Sequence, residues 1–451
     1  MLRHLIGLPG EGSVVDVTIA VTLNLVLLGA VIFYRKRMNL CPGALDLWSV
    51  IFYAAMFVTI FGINIFFLTD AKMTFGVETK ISDATVSRVY VDYYLSWIFV
   101  FLIFGCGSKL VTLPDRSNSY STYVRLPNSK LFDYVVLLSA IVLLAIDLAL
   151  IGTPPGIIAL KGDVGGAIAS KGAFMNQRMD SGIPGLGYLM RYFPIFASAW
   201  LFERFMLTRK PLGFFILCFA IVVYSALTLI KSYALQPLIA ACAVYFMHKG
   251  NRLNIRLVVK IFVVSCAVIF VPFYLISGVS AFELISLIVN RVFTVQIEGA
   301  ILIREAFLEI RLDALLEGAP LLSRFGVATF DPAAEVISVF FPSVGEGWVN
   351  MNSHYVGQGY VMFGSLVVIV GPLVIYLNCV LLSLTSRAFA IGPNQHISSL
   401  IILSCAIYLP FNNNFGNALY LKALIAYLVL SVFLYFIYGV VKLTRTVPSN
   451  S

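Results

Sequence analysis

Eleven long apolar runs, separated mostly by short polar connections, dominate this chain and leave it few ways to fold. Each run has to bury or satisfy about 20 residues of backbone in hydrocarbon, and only a helix does that within one segment. The runs do not alternate with period two, so they are not strands of a membrane barrel. The expected fold is all-α, a polytopic helical bundle with about 11 transmembrane helices. The spans are Val14–Tyr34, Leu45–Leu68, Val89–Val111, Leu131–Gly152, Gly185–Phe205, Leu212–Ile230, Tyr233–Met247, Leu257–Ser277, Tyr355–Leu384, Ile397–Phe411 and Ala418–Val441. Composition agrees: 60% of residues are hydrophobic and 12% charged, against roughly 25% charged in soluble chains.

Lysine and arginine set the orientation. Arg35, Lys36 and Arg37 follow the first span, and Lys109, Arg116, Arg125 and Lys130 surround the third connection. Arg204, Arg209 and Lys210 mark the next, and Lys249, Arg252, Arg256 and Lys260 the one after. All fall on one side, read as cytoplasmic by the positive-inside rule. The N-terminus is then outside and the tail with Lys442 and Arg445 inside. Residues 1–13 carry no signal-peptide pattern, so the first span is read as part of the mature chain. The net charge of +9 follows from this bias and gives no reason to expect nucleic-acid binding. On the cytoplasmic side it should meet anionic lipid head groups. No external loop holds any of the seven cysteines, and no metal-ligand spacing occurs, so neither disulfide, metal nor cofactor is expected.

The chain divides into residues 1–277 with eight spans and an external loop near 153–184, a large extracytoplasmic loop over 278–354, and residues 355–451 with three spans and the tail. A compact bundle does not need so long a connection, which makes the segment from Gly278 to His354 the expected working part. Leu284 to Glu298 reads as a helix with Arg291, Thr294 and Glu298 on one face. Ala300–Leu316 reads as a second helix carrying Arg304, Glu305, Glu309, Arg311 and Asp313. For those charges the plainer reading is an amphipathic pair on the membrane surface, facing water. Arg291 has almost wholly apolar neighbours and should seek a buried or lipid-level anion.

His354 is one of four histidines and the one placed at an external membrane boundary, where a neutral imidazole can take a proton from a hydroxyl. The competing reading is an interfacial residue that anchors a helix start. Lys231 sits in a tight external reversal and Arg178 in the glycine- and proline-rich loop; both suit a phosphate. Lys231 also reads as a snorkelling helix end. Arg191 lies a turn inside the fifth span, with Asp147 of the fourth as its expected structural partner.

The order of these parts resembles the bacterial O-antigen and capsular repeat-unit polymerases (the Wzy family) and, more distantly, the O-antigen ligases. The likeness covers the architecture of most of the chain. It is local at Asn290-Arg291-Val-Phe-Thr-Val-Gln296, at Asn352-Ser-His354-Tyr-Val-Gly357-Gln358-Gly-Tyr360-Val-Met-Phe363-Gly364 and at the basic reversal Lys231-Ser232. The Arg-x10-Gly pattern of some members is not met at Arg178, since position 189 is leucine.

The resemblance implies a metal-independent, GT-C-like glycosyltransferase of the bacterial inner membrane with its active site facing the periplasm. It would move a growing glycan from polyprenyl pyrophosphate to the acceptor sugar of a lipid-linked repeat unit. His354 would be the base or acceptor-orienting group, with Glu298 its rival or a support for Arg291. Arg291, Lys231 and Arg178, in that order, would hold the pyrophosphate, with Arg191 and Gln358 further candidates. A chain-length regulator and a flippase would be partners. The alternatives are a ligase that delivers glycan to lipid A core, and a flippase or transporter, which would gather ionisable residues near mid-membrane.

Overall fold

The structure is a computed structural model. It describes residues 17–40, 47–68, 81–111, 130–163, 165–167, 169–171, 185–230, 239–245, 263, 295–307, 309–316, 319, 330–341, 354–389, 395–407, 409–410 and 415–446. Among them every regular element is helical, with no strand, consistent with an all-α membrane protein.

Contacts divide the chain into two compact units, the first formed by residues 1–111, 266–380 and 407–422, the second by 112–265, 381–406 and 423–451. The first contains α1 (Val17–Arg37), α2 (Leu47–Leu68), α3 (Asp83–Cys106) and the short α4 (Ser108–Val111). The second contains α5 (Lys130–Ile151), α6 (Pro155–Leu160), α7 (Leu186–Thr208) and α8 (Leu212–Thr228). The chain then returns to the first unit for α9 (Val295–Ala306), α10 (Pro332–Phe340) and α11 (His354–Phe363). Helix α12 (Val367–Phe389) begins there and ends in the second unit, which holds α13 (Gln395–Ala406). The short α14 (Phe415–Leu419) belongs to the first unit, and α15 (Lys422–Thr446) runs through the second.

Six helical segments among the described residues are long and apolar enough to cross a membrane: Thr18–Arg37, Leu47–Ile65, Asp83–Cys106, Lys130–Ile151, His354–Ala388 and Lys422–Lys442. Two shorter apolar helices, Leu212–Thr228 and Ile397–Ala406, coincide with expected spans. Helix α7 covers the expected fifth span with 23 residues, but Arg191, Glu203 and Arg204 lower its hydropathy. It offsets that by burial: Tyr192 to Leu201 are inside the unit without a break. The expected eighth span, residues 257–277, lies outside the described residues except for position 263.

In the first unit α3 is the central helix. Tyr90, Tyr93, Tyr94, Trp97, Phe101 and Phe104 are all buried on it, and α1, α2 and α9 pack around it. Its start is fixed by Ser82, whose side chain accepts the Thr85 amide at 3.2 Å, an N-cap that satisfies one of the helix's open donors. By contrast α1 is peripheral. Only 17% of its apolar window is buried, and Leu25, Leu28 and Ile32 are each more than half exposed, as expected of a helix surrounded by lipid.

The ninth span departs from expectation. Residues 354–389 are apolar and helical, yet they are not one straight helix. Phe363 leaves the helical region (φ −127°) and Gly364 is left-handed (φ +59°), a conformation that glycine adopts without steric cost. The chain folds back there. A Cβ on Gly359 would lie 2.5 Å from Val367 Cγ2, and one on Gly371 would lie 2.5 Å from the Tyr355 ring. In an unbroken helix those pairs would be about 12 and 24 Å apart along the axis. Helix α11 is therefore a separate 10-residue segment packed beside the start of α12, and α12 alone has spanning length.

Candidate functional site

Three of the seven site residues expected from sequence lie in the first unit, on two helices that pack together. Helix α9, with Glu298 in its first turn, packs against α11, which carries His354 and Gln358 one turn apart. All three side chains are buried. Arg191 belongs to the second unit. Arg291, Lys231 and Arg178 lie outside the described residues.

His354 is not at the surface of the unit. It is 3% exposed, and its ring stands 5.5 Å from Tyr93, 5.9 Å from Trp97 and 4.2 Å from Tyr355, centroid to centroid. Tyr93 and Trp97 are mid-helix residues of α3, so the fold-back of α11 delivers the imidazole to the interior of the unit. The Tyr355 hydroxyl shares a hydrogen bond with Ser96, and the Trp97 indole donates to Thr59 Oγ1 at 2.7 Å. His354 itself is left-handed (φ +51°), a conformation costly for a residue with a Cβ. Gln358 accepts the backbone N–H of Phe415 and so caps the start of α14 from a neighbouring helix.

The loop charges need correction. Residues 295–306 form one helix that continues through Gly299, and a 3-10 turn at Leu312–Leu316 replaces the expected second helix. Positions 297–304 are buried in succession, so α9 is a core helix rather than a surface amphipath. Arg304, expected to face water, is 7% exposed and forms an ion pair with Asp92 of α3. Its guanidinium also donates to Ser365 Oγ at 3.2 Å and lies 4.1 Å from the centre of the Tyr360 ring. Burial lowers its pKa, the Tyr360 side chain opposes the shift, and the nearby Arg88 adds to it. A buried arginine with a carboxylate, a hydroxyl and a ring face around it has the polar surroundings such a charge requires. Glu305 accepts the amide and hydroxyl of Ser82 at 3.3 and 3.1 Å, beside the start of α3. Glu309 and Arg311 are exposed, as the surface reading expects. Arg311 pairs with Asp313 at 2.6 Å and holds that carboxyl below its usual range chiefly by hydrogen bonding.

Asp92, Asp133 and Asp147 are acids within helices of spanning length. Asp147 accepts the Tyr224 hydroxyl, and Arg191 lies 5.4 Å over the Tyr192 ring. Asp133 takes Arg204 at 3.1 Å and the Trp200 indole at 2.9 Å. The sequence signal for the missed residue Asp92 was available. An acid in Val89-Tyr-Val-Asp92-Tyr-Tyr, within a span, calls for a cation from elsewhere.

The chain matches no family model, no curated protein and no solved structure.

Proposed function

We propose that this protein is a membrane glycosyltransferase that extends a lipid-linked glycan on the extracytoplasmic face of the bacterial inner membrane. The observation that carries the reading is the packing of α9 on α11. It brings Glu298 and Arg304 of one segment into the same unit interior as His354 and Gln358 of another. In the proposed step an acceptor hydroxyl attacks the anomeric carbon of the donor sugar. The bond from that carbon to the pyrophosphate oxygen breaks, polyprenyl pyrophosphate departs, and the hydroxyl proton passes to His354 or Glu298. Arg291, Lys231 and Arg178 are the cations proposed to meet the leaving group's charge. His354 is enclosed by three rings, so an acceptor meets it only after α11 shifts. Glu298 is the alternative base.

One finding favours a second reading. The Asp92–Arg304 pair and His354 sit against the middle of α3, the kind of interior placement that transporters and flippases use.

One experiment separates the two. Surface glycan from cells lacking the gene is resolved by length, with the wild-type gene or His354→Ala restored. A polymerase leaves a single repeat unit in the null strain and a ladder on complementation, with the ladder lost for His354→Ala at normal protein level. Absence of even the single unit from the outer face sinks the polymerase reading in favour of the flippase. Full-length polymer held on the polyprenyl carrier points instead to ligation.

A further inference from the structure

The reversal between α11 and α12 turns on Gly364, and glycine by itself does not fix the angle between the two legs. Its φ of +59° is one of many values open to a residue without a Cβ. The legs meet where Gly359 faces Val367 and Gly371 faces the Tyr355 ring. Such contacts let the legs approach closely, but on the glycine side they offer no side chain to interlock. The angle has to be held from outside the reversal.

Arg304 of α9 is placed to hold it. One nitrogen of its guanidinium meets the Asp92 carboxylate on α3, the other donates to Ser365 Oγ at 3.2 Å, and its face lies 4.1 Å from the centre of the Tyr360 ring. Tyr360 precedes Gly364 and Ser365 follows it, so one side chain grips both sides of the turn, while Asp92 ties that grip to the central helix of the unit. A planar fork can serve two acceptors from its edge and a ring from its face at once, which the point charge of a lysine cannot. Three other bonds reach α11 only on one side of the turn. They join Tyr355 to Ser96, Gln358 to the Phe415 amide, and the Val361 carbonyl to the Arg311 amide at 2.8 Å.

Burial falls off toward the hinge. Residues 354–359 are all buried. Beyond them Val361 and Met362 are buried, Tyr360, Phe363 and Gly364 are half-buried, and Ser365 and Leu366 are exposed. The far end of the helix is His354, whose own left-handed backbone (φ +51°) is held against a cost. The helix is also a lever. His354 lies about 15 Å from Gly364 at helical rise, so a rotation of about 15° carries the imidazole roughly 4 Å. That is enough to part it from rings whose centres stand 4.2 to 5.9 Å away.

We infer that Arg304 is a clamp on the Gly364 hinge, and that α11 opens about this hinge when the clamp lets go, uncovering His354. The clamp is a property of the fold; its use, admitting an acceptor hydroxyl to His354, rests on the transfer reading.

Hydrogen exchange, read by mass spectrometry on the full chain in detergent, tests the clamp without substrate. Ser365→Ala removes an exposed hydroxyl and leaves the interior intact. Arg304→Lys keeps a cation beside Asp92 and loses the fork. Amides of residues 356–362 should exchange several-fold faster in Ser365→Ala and about tenfold faster in Arg304→Lys. Exchange along α3 and the unfolding temperature should stay unchanged in Ser365→Ala. Unchanged exchange over 356–362 in Ser365→Ala overturns the inference, whether or not Arg304→Lys folds. So does faster exchange that spreads equally into α3 and α9, the result expected if Arg304 only holds the unit together. Because no substrate enters the measurement, failure of the transfer reading would leave this result standing.

Discussion

Arg304 and Asp92 form a pair whose members are worth little separately. Each charge is buried, and each is tolerable because the other is there. Asp92→Leu leaves a guanidinium inside the unit without its counter-ion, and the expected loss is about 3–5 kcal/mol. Asp92→Leu combined with Arg304→Leu removes both charges and should recover most of that loss. Thermal unfolding of the three proteins in detergent decides it. A single variant no less stable than the double would mean that the pair does not hold the unit together. Asp92 carries a signal as an acid within a span, but Arg304 does not stand out when the sequence is read one segment at a time. Arg304 shares its stretch with Glu305, Glu309 and Arg311, which is the composition of a wetted surface. The buried partner that distinguishes it lies 212 positions away.

At the level of elements, most helices were legible because hydropathy and length report them directly. Helices α1, α2, α5 and α15 begin and end within a few residues of the expected spans. The α11–α12 reversal was not legible, because a fold-back changes neither hydropathy nor helical periodicity. Its one local mark is Gly364, and a glycine within an apolar run reads equally well as a packing residue. The reversal predicts a cross-link. Gly359→Cys with Val367→Cys should form an internal disulfide on mild oxidation, detected by peptide mapping. A straight helix holds those positions about 12 Å apart, beyond the roughly 7 Å that such a bond spans. Failure to cross-link in folded protein would restore a continuous ninth span. The same reversal explains why His354, expected at an external boundary, is buried among the rings of Tyr93, Trp97 and Tyr355. The packing of α9 on α11 was not read from segment order, and the burial of His354 follows from the backbone conformation at residue 364.

For the molecule as a whole, the balance between buried and exposed apolar surface differs sharply from helix to helix. Leu25 on α1 is 64% exposed, whereas Tyr34 on the same helix is fully buried, bonded to Ser49 at 3.1 Å and packed on Phe101. Leu25→Ala should change stability by less than about 0.5 kcal/mol. Tyr34→Ala should cost about 3–5 kcal/mol, as for other buried aromatic residues. Unfolding in detergent checks both, and a large effect at Leu25 would mean that a protein surface, not lipid, covers α1.

The brevity of α11 also bears on biogenesis. Ten residues rise about 15 Å, half the hydrocarbon thickness, so this helix cannot be held by a bilayer on its own merits. The translocon has reason to release α12 into lipid as a stable span but none to release α11 with it. The helix bearing His354 must then be drawn in later, by α3 and α9, once those are in place. Completion of the candidate site would therefore be among the last steps in assembling the first unit, after its long spans have been inserted.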